Sequence, residues 1–170
     1  MVTPKQHEQP LTEVRVRRLV STDVASLGAL STLFGAAFGD AETYTGRRPS
    51  AEYLRTLLAD DTFIALVATR GVEVVGGIVA YELRKFEQER SEIDLYDLAV
   101  AEPQRRQGIA ERLIRALEAV AAACGAHLVF VQADHGDDPA IALYGKRGRR
   151  EDVVHFDIAV SDVADGDGVS

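Results

Sequence analysis

A chain of 170 residues that is 46% apolar and 27% charged can bury one real core, and it has no apolar run long enough to span a membrane. Its net charge of −8 speaks against a nucleic-acid partner, which needs a basic face, and is compatible with a cationic one. The single cysteine, Cys124, rules out an intrachain disulfide, and the polar opening MVTPKQHEQP lacks the apolar segment of a cleaved leader, so a reducing cytoplasm is the expected setting.

Residues 1–11 read as a flexible arm and 161–170, acidic and glycine-rich, as a flexible tail, which leaves one domain over 12–160. VRVRRLV (14–20) predicts a first strand. Thr22 or Asp23 can cap a helix whose Leu27, Leu30, Leu33, Phe34 and Phe38 form one apolar stripe. Residues 39–49 read as a loop, and Ser50 as the cap of a short second helix, AEYLRTLLAD. TFIALVATR (62–70), a turn at Gly71 and EVVGGIVAYELRK (73–85) predict an antiparallel hairpin.

SEIDLYDLAV (91–100) predicts another strand, which Pro103 stops. A helix is expected from Gln107, with Ile109, Leu113, Leu117, Val120 and Cys124 on its apolar face; this makes Cys124 a small core residue. Gly125 ends it. AHLVFVQAD (126–134) predicts a buried strand. Asp138 before Pro139 reads as the cap of a short helix, PAIALYGKR, and DVVHFDI (152–158) as the last strand. The order β-α-α-β-β-β-α-β-α-β predicts an α+β (mixed α/β) domain around one central sheet.

No nucleotide P-loop motif is present, and the four histidines and Cys124 lack metal-ligand spacing, so no metal is expected. RRQGIA (105–110) lies where a strand must turn into a helix. The first amides of a helix lack acceptors, and with the helix dipole they attract an anion. Gly108 permits close approach, and Arg105 and Arg106 add charge at an end where the dipole alone disfavours cations. An anion between them resolves that conflict; a solvated turn leaves it standing.

LYDLAVAEPQRRQGIAERLI resembles the strand–loop–helix of the GCN5-related N-acetyltransferases: Arg105, Gly108 and Ala110 meet that family's short pattern. Longer runs, FIALVA, KFEQERSEIDLYDLAV, VFVQADHGDDPAIALY and HFDI, resemble the aminoglycoside 3-N-acetyltransferases of the gentamicin-modifying type, from about Leu33 to Ile158. Gly145, Gly148 and Arg149 depart from that likeness.

The resemblance implies a mostly antiparallel sheet with a splayed parallel pair and flanking helices. It also implies an enzyme that uses acetyl-CoA, releases coenzyme A and acetylates an aminoglycoside directly in a ternary complex. Gln107, Gly108, Ile109 and Ala110, with Arg105 and Arg106, would hold the diphosphate. Leu98, Ala99 and Val100 would pair with the pantetheine arm like an added strand, a backbone N–H near Leu98 serving as oxyanion donor. Tyr144 would be the general acid. Asp97, costly in mid-strand unless it has a role, is the expected base, with Asp134, Asp137 and Glu87 on the substrate. A polyamine or other small cationic amine as acceptor, or a non-catalytic acyl-CoA-binding module, are the alternatives. The resemblance leaves room for a homodimer.

Overall fold

The structure, a computed structural model, describes residues 13–158, and both expected flexible termini lie outside that range. The chain divides into two compact units at Asp134/His135. The first holds β1 (Val14–Arg18), α1 (Val24–Phe38), a π-helical turn (Glu42–Gly46), α2 (Ala51–Ala59), β2 (Phe63–Arg70), β3 (Glu73–Arg84) and β4 (Ser91–Val100). It continues through a 3-10 turn (Glu102–Gln104), α3 (Ile109–Cys124) and β5 (Ala126–Val131). The second holds α4 (Asp138–Gly145) and an irregular stretch, 151–158.

The sheet order is β1-β2-β3-β4-β5. The first three pairings are antiparallel, and β4–β5 is parallel because α3 carries the chain across the sheet between them. Side-chain alternation divides the sheet into two faces. On one, Phe63, Ala65, Val67, Val79 and Ala99 meet Leu27, Leu30 and Phe34 of α1 and Leu58 of α2. The residues of the other face, among them Ile64, Leu66, Ile78, Ile93 and Leu95, are also buried, and α3 packs there with Ile109, Leu113, Ile114, Leu117 and Ala121.

Gly77 permits the α1 contact. A Cβ there would meet Leu30 Cδ1 at 2.5 Å and the Leu66 carbonyl oxygen at 2.6 Å. The neighbouring backbone cannot yield, so Gly77→Ala should cost roughly 1–3 kcal/mol or more and lower Tm by several degrees in a thermal melt.

Several expectations need correction. Asp23 precedes α1 but makes no cap bond to it; its carboxylate accepts two bonds from Arg17 (2.7 and 2.8 Å) and one from the Val20 amide. The helix expected from Gln107 begins at Ile109, because Arg106 and Gly108 both have positive φ (61° and 75°) and delay it. Cys124 is not a core residue: Ala122 to Gly125 are all exposed, and its thiol donates to the Ala121 carbonyl at 3.3 Å.

β5 stops at Val131 rather than Asp134 and is half-exposed, with β4 as its one partner strand among the described residues. The cap of α4 is Asp137, whose carboxylate accepts from the Ala140 amide at 3.1 Å; Asp138 is the first helical residue. Residues 152–158 form no strand, and Val153, Val154, Phe156 and Ile158 are 70–87% exposed. The side chains of 149–157 pair locally instead, Arg149 with Glu151 and Arg150 with Asp152 as ion pairs, and His155 with Asp157 through a hydrogen bond.

Candidate functional site

β4 and the loop after it build the site. Ala101 donates its amide to the Val75 carbonyl (2.9 Å), so Ala101 and, two residues back, Ala99 turn their main-chain groups toward β3. Leu98 and Val100 therefore turn theirs the other way. On that side the ladder with β5 ends at Leu95↔Val131, so among the described residues no strand covers them. The pairing stops there because β5 itself ends at Val131. Arg105 Nε donates to the Val100 carbonyl (3.1 Å), which leaves the Leu98 groups and the Val100 N–H as the open part of the edge. Ala99 presents no main-chain group there, and its side chain is buried on the α1 face.

Beyond that edge lies the loop 105–110. Among the described residues, nothing accepts from the main-chain N–H groups of Gln107, Gly108, Ile109 and Ala110. A Cβ on Gly108 would find nothing within 4 Å, so the space over the amides is open. Arg105 and Arg106 are exposed beside them, and the Gln107 carboxamide accepts from Arg70 at 2.9 Å. Two left-handed residues around Gln107 make a turn of the kind that gathers amides for an anion. Orphaned donors, a missing Cβ and two cations together fit a diphosphate.

At the other end of the open edge is Asp97. The register with β3 slips between Val79 and Ala80, so Tyr96 is an extra, bulged residue. Asp97 faces Val79, and Asp94 faces Tyr81. Val79 and Tyr81 share a face, so the two carboxylates do too, roughly 7 Å apart along the strand. Burial raises the pKa of both, and a hydrogen bond from the Tyr44 hydroxyl to Asp97 (2.9 Å) opposes part of that rise for Asp97.

Asp97 lies in the wall of a cavity of about 340 Å³ between α1, α2 and the sheet. The wall is otherwise mostly apolar, with Ser31, Tyr44, Arg48 and Tyr81 as its other polar groups. Tyr81 packs edge-on against the exposed Tyr96, with ring centroids 5.7 Å apart.

The remaining expected residues are scattered. Glu87 sits in the β3–β4 turn, near Lys85 (3.7 Å) and Arg90 (3.9 Å). The Arg84↔Ser91 rung next to that turn is roughly 17 Å along the strand from Asp97, so Glu87 could reach only the far end of a large substrate. Asp134 is exposed in the coil after β5. In the second unit, Asp137 is occupied as the α4 cap. Tyr144 is on α4, and burial, together with the Asp137 charge, raises its pKa, so its hydroxyl stays protonated at neutral pH. Among the described residues no cluster of His, Cys, Asp and Glu could hold a metal ion.

Sequence reasoning missed Asp94, Tyr44 and Tyr81. By plain alternation Asp94 and Asp97 belong on opposite faces, and only the Tyr96 bulge brings them together. Tyr44 lies 53 residues from its partner, inside what reads as a loop.

Residues 30–148 match the profile of the GNAT acetyltransferase family. A crystal structure of an aminoglycoside acetyltransferase from an uncultured soil metagenomic sample matches at 55% identity and a TM-score of 0.86, over 88% of this chain and 100% of that one. A second aminoglycoside acetyltransferase from such a sample, solved with sisomicin, matches at 33% identity and a TM-score of 0.80, over 87% of this chain and 97% of that one. AAC(6')-Iy, solved with a bisubstrate coenzyme A analogue, shares the fold alone, at 14% identity and a TM-score of 0.69, over 88% of this chain and 100% of that one. No curated protein matches.

Proposed function

The chain belongs to the GNAT family of acetyltransferases, and from that premise we propose that it transfers acetyl from acetyl-CoA to the 3-amino group of an aminoglycoside, by direct attack in a ternary complex. The observation that carries this reading is the open main chain of Leu98, set between the unpaired amides of 107–110 and the half-buried carboxylate of Asp97. The 55% identity to an aminoglycoside acetyltransferase supports the acceptor class. The likeness of the 85–100 and 129–144 runs to 3-N-acetyltransferases supports the position on the ring.

GNAT acetyltransferases use acetyl-CoA, which when bound supplies an activated acetyl thioester. In this chain the amides of Gln107 to Ala110, with Arg105 and Arg106, would hold its diphosphate, and Leu98 and Val100 its arm. The Leu98 N–H offers a hydrogen bond where negative charge must collect on a carbonyl oxygen. Asp97 takes a proton from the acceptor amine, directly or through one water. Tyr144 holds at its hydroxyl the proton that the departing sulfur needs. Asp94, on the same face as Asp97, offers a second carboxylate to a polycation, and Asp134 and Glu87 are further contacts for its outer rings. The single cysteine suits a reducing cytoplasm.

Gly108→Ala tests the cradle. The protein leaves room for the methyl group, so the fold should lose only about 1–2 kcal/mol from the left-handed backbone. The methyl would stand over the amides, and the KM for acetyl-CoA should rise about tenfold or more with kcat little changed. An unchanged KM would remove the loop from the coenzyme site. The reaction itself is tested by thiol release from acetyl-CoA with sisomicin or gentamicin as acceptor.

A further inference from the structure

We propose that Tyr44 is a positioning residue: it holds one oxygen of Asp97 so that the other is presented to the acceptor amine. The inference rests on the reading of Asp97 as the base. The Tyr44 hydroxyl donates to Asp97 Oδ1 at 2.9 Å, and Oδ2 has no partner among the described residues. Without such a bond, a carboxylate in a mostly apolar cavity could turn to either side.

The segment that carries Tyr44 is held far more firmly than a connecting loop requires. Its turn is π-helical, one residue wider than an α-turn. The Tyr44 amide donates to the Asp40 carbonyl (3.3 Å), and its carbonyl accepts from Ser31 Oγ (2.6 Å). Asp40 Oδ1 accepts from the Thr43 amide (3.1 Å), and Thr45 Oγ1 donates to the Ala41 carbonyl (2.7 Å). Phe34 and Phe38 flank the ring at 5.8 and 5.7 Å. Gly35 leaves space for it: a Cβ there would lie 3.2 Å from the Tyr44 Cβ. These contacts fix the ring from α1 and from its own turn, and they leave the hydroxyl a single direction, toward β4.

The groups that face Asp97 are Tyr44 from the π-turn, Tyr81 from β3 and Arg48 from the segment before α2, with Tyr96 and Asp94 beside it on β4; α1 and α2 supply the cavity with no titratable side chain. A hydrogen bond from Tyr44 favours the charged carboxylate. Its loss must therefore raise the Asp97 pKa and move the acid limb of the kcat/KM profile to higher pH.

Tyr44→Phe keeps the ring packing and removes only the hydroxyl. It should lower kcat/KM for the acceptor about ten- to a hundred-fold, leave the KM for acetyl-CoA unchanged and shift the acid limb upward. In an Asp97→Asn background the same substitution should cost no further activity. An acid limb that stays in place, or an equal loss in both backgrounds, would reduce Tyr44 to a packing residue and overturn the proposal alone. Full activity of Asp97→Asn itself would remove the base, and the proposal with it.

Discussion

Tyr144→Phe is expected to lower kcat by about a hundred- to ten-thousand-fold and to leave coenzyme A binding intact. In the proposed reaction the hydroxyl acts after attack, when the sulfur leaves with a negative charge and needs a proton. Burial and the Asp137 charge raise its pKa, so the proton is retained at neutral pH. The sign follows for the alkaline limb. An acid works while protonated, so activity should fall only as pH rises through a pKa above the ordinary tyrosine range, and Tyr144→Phe should lose that limb. Thermal shift with coenzyme A should match wild type, because the proposed cradle is at 105–110. A kcat within a few-fold of wild type would leave a packing residue and favour the non-catalytic acyl-CoA-binding module.

Asp97→Asn should lower kcat/KM by a comparable factor, about a hundred- to ten-thousand-fold, because in the proposed reaction Asp97 takes the amine's proton. It should also flatten the acid limb, where protonation of Asp97 silences the wild-type enzyme. A second readout separates function from fold. Burial raises the pKa of Asp97 in the folded protein, so folding favours the neutral form, and the charged form costs stability at pH 7. Asp97→Asn should therefore melt higher than wild type at neutral pH. The gap should close as pH falls from above the folded pKa to below the ordinary carboxylate value. An active-site carboxylate held against its own stability is expected to behave so; a structural one would melt lower when replaced.

Local chemistry made most of the frame readable. Ser50 caps α2 as its position before AEYLRTLLAD predicts, its Oγ accepting from the Tyr53 amide at 3.1 Å. β-branched runs around Gly71 became the β2–β3 hairpin, and the 109–117 stripe became the buried face of α3. The place of RRQGIA, in the turn between β4 and α3, was legible from the end of the strand at Pro103 and the apolar stripe that follows.

What stayed hidden depends on relations that strand period and spacing do not carry. The Tyr96 bulge reverses the faces of every residue after it on β4, so the pairing of Asp94 with Asp97 could not be read from alternation. Tyr44 meets Asp97 only through the fold of α1 against the sheet. Asp137 and Asp138 are both good caps, and the choice between them turned on one residue of helix register. Residues 152–158 alternate like a strand, yet a strand also needs a partner, and the GKRGRR run before them favours local ion pairs.

The account stands or falls on acetyl transfer to one amine. Purified protein should release thiol from acetyl-CoA when sisomicin is added, and mass spectrometry and NMR of the product should show a single acetyl group on the 3-amino nitrogen. An acetyl group on another nitrogen would contradict the proposed position. No thiol release with any aminoglycoside, under conditions where polyamines are acetylated, would contradict the acceptor class itself.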